Sequence, residues 1–144
     1  MKTIFSHFSP IPPLVLLILC GLTGCLGNGG EPLPELGEVT GTITLDGTPL
    51  GKTNVTFQPE TVSDKGRSRA SSAITSADGK YKLQYNSDVS GASIGKHQVI
   101  ISKMSDNPAD AGLQLVPLKY NDKTELSADV VAGDNNLNFD LKSN

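Results

Sequence analysis

Hydrophobic and polar residues alternate in short runs from residue 38 to the end of the chain. The first run, residues 38–45, places apolar residues and Gly41 on one face and three threonines on the other. Such alternation, bounded by turn residues, is typical of half-buried β-strands. Similar runs predict six further strands, at about residues 54–59, 71–76, 80–85, 96–103, 124–131 and 136–142. No stretch in this region sustains a helical period with caps, so the pattern predicts an all-β domain, a seven-stranded antiparallel β-sandwich.

Asp-Gly pairs mark two of the predicted turns. Asp46-Gly47 follows the first strand, and Asp78-Gly79 lies between the third and the fourth. Because a type I′ turn needs positive φ at both central residues, Asp-Gly between two strand patterns predicts a tight hairpin at residues 78–79.

The N-terminal region has a different pattern, an uninterrupted apolar run at residues 14–22. A membrane-spanning helix needs about 20 apolar residues, whereas the apolar region of a signal peptide takes about 7 to 15. The run ends in small residues, as a cleavage site requires. It therefore predicts a signal peptide rather than a membrane-spanning helix.

The four residues that close this run are Leu22, Thr23, Gly24 and Cys25. They resemble the lipobox of bacterial lipoproteins, in which the Cys thiol accepts diacylglycerol and becomes the first residue of the mature chain. The resemblance implies lipidation of Cys25 and a membrane partner reached through the lipid. Leu26 stands where Asp would resemble an inner-membrane retention signal, which favours the outer membrane. The domain would then face the periplasm or the cell exterior.

Cleavage before Cys25 divides the chain into three parts: signal peptide 1–24, lipidated N-terminus and flexible tether 25–37, and domain 38–144. The mature 120 residues fit a single domain and contain no thiol besides Cys25. Loss of Lys2 changes the formal net charge from −3 to −4, which argues against a nucleic-acid partner.

Three segments of the domain resemble the carboxypeptidase regulatory-like family. Residues 37–43 with 46–50 are similar to its opening V-x-G-x-V strand and the x-G-x-P-L turn that follows. Residues 75–81 are similar to its T-x-x-D-G-x-Y hairpin, and residues 94–99 to its later P-x-G-x-Y-x-V strand, with Ile94 for Pro and His97 for the aromatic residue. The resemblance implies a transthyretin-like sandwich and no particular chemistry.

Two motifs suggest catalysis or nucleotide binding. Residues 91–95 match the G-x-S-x-G nucleophile elbow around Ser93, but a strand follows instead of a helix and His97 is only four residues away. Residues 47–53 are one residue short of a phosphate-binding loop and also lead into a strand. A transthyretin-like enzyme, the hydroxyisourate hydrolase, uses separated histidines and a C-terminal motif that this chain lacks. We predict no catalytic residues and no cofactor.

Candidate metal ligands include Asp106, Asp110, Asp122, Asp134 and Asp140, but turn chemistry explains their positions better. None has the spacing of a calcium loop. Weak calcium binding would use Asn121 and Asp122 beside Asp106 and Asp110. We predict no metal site.

Two surfaces remain as candidates for binding. Lys65, Arg67 and Arg69 cluster on the loop after the second strand, at the end of the sandwich that the tether would share, where they could contact anionic lipid or envelope polymer. The long segment 105–123 would lie at the opposite end. It offers Leu113, Leu115, Leu118 and Tyr120 as a candidate binding loop, although its apolar residues could instead cover an open edge of the sandwich.

These patterns predict a non-enzymatic envelope lipoprotein with a structural, adhesive or protein-interaction role. The alternative is a glycan-binding module of the cell envelope. That function requires exposed aromatic rings, but the chain has no Trp, and most of the aromatic residues in the mature chain are patterned inward. A hydrolase is the least favoured class. Possible partners besides the membrane are an envelope protein or a polysaccharide.

Overall fold

A computed structural model describes residues 32–61 and 69–144. The described residues form ten strands and two single-turn 3₁₀ helices, Pro108–Asp110 and Leu118–Tyr120. The strands are β1 Leu36–Leu45, β2 Thr48–Pro49, β3 Asn54–Pro59, β4 Ser71–Ile74, β5 Lys80–Lys82, β6 Ala92–Ser93, β7 Gly95–Ser102, β8 Ser127–Val130, β9 Gly133–Asn136 and β10 Phe139–Leu141. The all-β prediction is therefore confirmed.

The strands form two sheets. In the first, β1 is central, with β2, β5 and β6 antiparallel on one side and β9 and β10 parallel on the other. The second sheet has the order β4-β3-β7-β8 and is antiparallel throughout. Parallel pairing departs from the predicted antiparallel arrangement. It arises because the chain crosses from β8 to the other sheet and then runs in the direction of β1.

Both sheets contribute to one hydrophobic core. From the first sheet come inward residues of β1, β5 and β10, and from the second come those of β3, β7 and β8. The largest fully buried side chains include Phe57, Ile43, Leu83, Ile101 and Leu141. Val39 and Ile43 are fully buried while the threonines between and beside them are partly exposed, as the alternation along β1 predicts.

Strand boundaries differ from prediction at several places. β1 begins at Leu36 and Pro34 is already buried, so the last residues of the predicted tether, 25–37, belong to the domain. The predicted strand 136–142 is reduced to β10, because β9 ends at Asn136 and the Asn138 side chain between them accepts a hydrogen bond from the Thr42 amide at 2.8 Å. β2 and β6 were not predicted, because runs of two residues carry no period.

The two Asp-Gly turns adopt different conformations. Asp46 and Gly47 both have positive φ, 50° and 80°, and join β1 to β2 as a type I′ turn. At the second turn only Gly79 has positive φ, 76°, so the predicted type I′ geometry is wrong there. Hydrogen bonds from Ser76 Oγ to Asp78 and to the Lys80 carbonyl hold a three-residue loop instead. Hydrogen bonds from Lys80 and Ser76 lower the pKa of Asp78 to about 2.

Two backbone hydrogen bonds beside β6 and β7 show which ends of the two sheets lie together. The Ile94 amide donates to the Glu35 carbonyl at 3.1 Å, and the Glu60 amide donates to the Lys96 carbonyl at 3.0 Å. The chain therefore enters β1 and leaves β3 at the same end of the domain, which we call the tether end. At the opposite end lie the Asp46 turn and Lys52, whose Nζ contacts Asp106 at 3.1 Å.

Candidate functional site

The segment between β7 and β8 is the longest connection in the described part of the chain, and its first half folds back on itself. The Leu115 amide donates to the Lys103 carbonyl and the Ser105 amide to the Leu113 carbonyl, both at 2.8 Å. The Gln114 side chain accepts from the Lys103 amide at 2.8 Å. These bonds make residues 103–115 a short ribbon with defined backbone positions.

The second half of the segment is attached to the core. Val116 is buried and belongs to the hydrophobic core, and Tyr120 packs against that core. The Tyr120 hydroxyl oxygen accepts a hydrogen bond from the Lys142 amide at 3.0 Å. The buried Asn121 amide group donates to the carbonyls of Val116 and Pro117 at 3.0 and 3.1 Å. This half is therefore held against the core and against the residue that follows β10.

The leucines of the segment face outward. Leu113, Leu115 and Leu118 have 55%, 42% and 52% of their surface exposed, and Met104 at the start of the ribbon has 56%. Leu115 and Leu118 line a shallow groove of about 350 Å³. The rest of its lining is Gln114, Val116, Pro117 and Ser143. The four predicted residues therefore divide: the leucines form the surface, whereas Tyr120 supports it. We call Met104, Leu113, Leu115 and Leu118 the leucine surface.

Met104 was missed by sequence analysis. It lies two residues past the end of β7, on the outward-facing alternation of that strand. The isolated bridge pairs Met104 with Gln114, the residue between Leu113 and Leu115. The outward alternation of β7 is visible in the sequence, but its pairing with residue 114 is not.

Charged groups border the leucine surface. The Lys52 to Asp106 ion pair lies near its start, and Lys119 stacks over the Tyr120 ring at 5.2 Å while its Nζ donates to the Asn144 carbonyl. Lys103 Nζ donates to the Gly51 carbonyl at 2.5 Å. An apolar centre with a polar rim is the usual organisation of a protein-binding surface.

The nucleophile-elbow motif has a geometry that the sequence did not predict. Ser93 Oγ lies 3.3 Å from His97 Nε2, so a base is within reach of the hydroxyl, contrary to expectation. His97 Nδ1 lies 3.0 Å from the Gly95 carbonyl, which can only accept, so Nδ1 carries the proton and Nε2 accepts from Ser93.

The same pair is closed to substrate. Ser93 and His97 are buried at 2% and 1% exposure, and the His97 ring packs beside Phe57 with 5.9 Å between centroids. Burial lowers the pKa of His97, which favours the neutral ring. The Gly95 carbonyl takes the position that a carboxylate holds in a Ser-His-Asp catalytic triad. The arrangement is a core hydrogen-bond pair that satisfies its own polar groups.

The remaining candidate ligands are occupied by local contacts. Asp106 pairs with Lys52, and Asp110 accepts from the Asn107 side chain at 3.1 Å. The Asn121 side-chain oxygen accepts from the Asp122 amide at 2.7 Å. Within residues 32–61 and 69–144, no three His, Cys, Asp or Glu side chains are grouped as a metal site would require. Residues 47–53 form a turn and β2, with Lys52 directed to Asp106 instead of a phosphate cradle.

Several predicted sites lie outside the described residues. They are Leu22, Thr23, Gly24 and Cys25 of the lipobox, and Lys65 and Arg67 of the basic loop. Arg69 is described, and its guanidinium lies over the Tyr85 ring at 5.8 Å from the centroid. None of the described helices is long and apolar enough to span a bilayer. Comparison of the chain with protein families, curated proteins and solved structures finds no match.

Proposed function

We propose that this protein is a non-enzymatic bacterial lipoprotein that presents its β-sandwich domain to a protein partner in the cell envelope. The lipid on Cys25 anchors it to a membrane, with the outer membrane favoured. The leucine surface is the partner-binding site. The observation that carries the proposal is that three leucines are exposed on a segment that the buried residues Val116 and Asn121 fix to the domain.

The anchor rests on the sequence of residues 22–25. Two or more acyl chains are needed for stable attachment, because a single chain holds a protein only marginally. The mass spectrum of the protein extracted from membranes tests this part. We expect a mature chain that begins at Cys25 and carries acyl groups, and an unmodified Cys25 would refute it.

The transthyretin-like, carboxypeptidase regulatory-like assignment is supported by contacts between the motifs that suggested it. Gly41 of the first motif pairs with Tyr81 of the second across β1 and β5. An added Cβ at Gly41 would come within 2.8 Å of the Tyr81 ring. Because the two motifs contact each other, both contribute to the packing of the same domain.

Protein binding is supported by the pre-organisation of the leucine surface. Ordering a flexible loop on binding costs affinity, and a ribbon already held by backbone hydrogen bonds avoids most of that cost. Apolar side chains surrounded by charged groups favour a protein over a polysaccharide partner. The glycan alternative is weakened because Phe57, Tyr81 and Tyr85 are buried.

Affinity capture from detergent-solubilised membranes tests the binding proposal. The lipidated protein is compared with a variant carrying L113S, L115S and L118S, and with the matched control I74S. Ile74 is 74% exposed on β4 and lies outside the leucine surface. We expect partners that the wild type and I74S retain and the triple variant loses. Identical partners for all three proteins would contradict the proposal.

The glycan alternative has its own test. Tyrosine fluorescence is followed while envelope polysaccharides are titrated into the protein, and we expect no change. A saturable change would favour the glycan-binding module instead.

A further inference from the structure

A second group of exposed apolar side chains lies at the tether end. Leu33, Ile94 and Val131 have 53%, 38% and 58% of their surface exposed. All three lie outside the hydrophobic core. They are also separate from the leucine surface, which begins beyond the other end of β7.

Strand pairing brings Ile94 and Val131 together, and a backbone hydrogen bond brings the segment that contains Leu33 beside Ile94. Gly95 pairs with Val130 in the β7 to β8 ladder, so Ile94 and Val131 are the next residues beyond that pair. The Ile94 amide donates to the carbonyl of Glu35, two residues after Leu33. The Val131 backbone also adjoins β1, since its carbonyl lies 2.2 Å from the position of a Cβ on Gly37. The group therefore surrounds the point where the chain enters the domain.

Two basic side chains at this end make contacts within the domain. Lys96 Nζ lies 3.6 Å from Glu60, and Arg69 covers the Tyr85 ring. Glu35, two residues after Leu33, and Asp129, two residues before Val131, are acidic neighbours of the apolar group.

The chain length between the lipidation site and the domain limits where this end can lie. Residues 26–31 separate Cys25 from Pro32, the first described residue. Fully extended, that connection spans roughly 25 Å. As a flexible coil, it spans about 15 Å. Pro34 is buried and the Glu35 carbonyl is bonded, so the domain fixes the chain from there onward.

We propose that Leu33, Ile94 and Val131 form a membrane-contact surface that seats the tether end of the domain on the lipid bilayer. The inference rests on the proposed lipid anchor. The anchored bilayer is the occupant because the short connection holds this end beside it. Contact there directs the leucine surface away from the membrane, toward a partner in the surrounding compartment.

Single tryptophans test the contact, because the chain has none of its own. Full-length lipidated V131W is reconstituted into vesicles of phosphatidylethanolamine and phosphatidylglycerol that contain a lipid brominated on its acyl chains. I94W is the second probe of the same surface. I74W is the control, an exposed position near the opposite end, since Ile74 pairs with Asn54 and Asn54 with Ser102. Circular dichroism and flotation with the vesicles are measured for each variant.

We expect the tryptophan fluorescence of V131W and I94W to be quenched at least about twofold more strongly than that of I74W. Side chains that lie on the bilayer reach the boundary between headgroups and acyl chains, where the bromine atoms quench them. Equal quenching in variants that float with the vesicles overturns the contact and leaves the anchor intact. If the lipidated protein does not float with the vesicles, the proposed anchor is refuted, and the proposed contact is refuted with it. If V131W does not fold, I94W decides the result against the same control.

Discussion

The Tyr81 hydroxyl donates a hydrogen bond to the Leu137 carbonyl at 2.6 Å, across the backbone of Gly41. Tyr81 lies opposite Gly41 on β5, and Leu137 follows β9 on the other side of β1. The missing side chain of Gly41 leaves the space through which the ring reaches. One contact therefore joins three segments that are distant in sequence.

Replacing Gly41 with Ala should destabilise the domain strongly. A Cβ at this position would lie 1.8 Å from the Leu137 carbonyl oxygen, which is backbone and cannot move aside alone. We expect a loss of about 3 kcal/mol in the free energy of unfolding, at the upper end for overpacked sites. Urea denaturation followed by circular dichroism measures the loss.

G47A is the control, because that glycine is needed for a different reason. Nothing lies within 4 Å of its Cβ position, but its φ is +80°. The expected loss is about 1 kcal/mol, the cost of a left-handed conformation for alanine. Equal losses in the two variants would show that space at Gly41 is not the controlling factor.

Replacing Tyr81 with Phe keeps the ring and removes only the hydrogen bond. Burial raises the pKa of Tyr81, so the hydroxyl remains a donor through the neutral and mildly alkaline range. We expect a loss of about 1 to 3 kcal/mol, since the Leu137 carbonyl loses a short hydrogen bond. The double variant G41A/Y81F should lose less than the sum of the single variants. Strict additivity would refute the coupling between the two sites.

The alternation of apolar residues predicted the order and approximate location of the long strands, because each of them has one buried face. β1, β3 and β7 follow this rule closely. The rule fails where stability comes from contacts distant in sequence. The Asn138 side chain replaces a backbone acceptor for Thr42, 96 residues away, and no local pattern encodes that exchange.

The candidate site was predictable to a similar extent. The length and apolar content of residues 105–123 indicated a surface of interest, but not which side chains would face solvent. Val116 is buried while Leu115 beside it is exposed, because the backbone is held on one side by Lys103 and on the other by Asn121. The Ser93 to His97 contact was missed because β6 and β7 place both side chains inward despite their short separation.

His97 should make the stability of the domain depend on pH. Burial lowers the pKa of His97 below its ordinary 6.5, an effect that the hydrogen bond to the Gly95 carbonyl, and then Asp129 and Glu60, partly oppose. The unfolded chain therefore takes up a proton at a higher pH than the folded one. The contribution of neutral His97 to the free energy of unfolding is fully present above about pH 6.5. It falls as the pH decreases from the unfolded pKa toward the folded pKa, by about 1.4 kcal/mol for each pH unit between them.

Urea denaturation at a series of pH values from about 7.5 to about 5 measures this dependence. H97Q is the comparison, because glutamine can still hydrogen-bond but does not titrate. We expect H97Q to be less stable than the wild type at neutral pH and to show a shallower fall below pH 6.5. Parallel pH profiles for the two proteins would mean that His97 contributes no proton linkage.

Variants at Val116 and Leu115 should separate the structural role of the segment between β7 and β8 from its role as a surface. Val116 is 2% exposed within the core, so V116A should remove about 2 kcal/mol by leaving a cavity. Leu115 is 42% exposed, so L115A should change the free energy of unfolding by only about 0.5 kcal/mol. Urea denaturation of both variants is the measurement, with I74A as a second exposed control. A large loss of unfolding free energy in L115A would mean that this side chain packs within the domain and does not belong to the leucine surface. A small loss in V116A would mean that the segment is not held to the domain through the core.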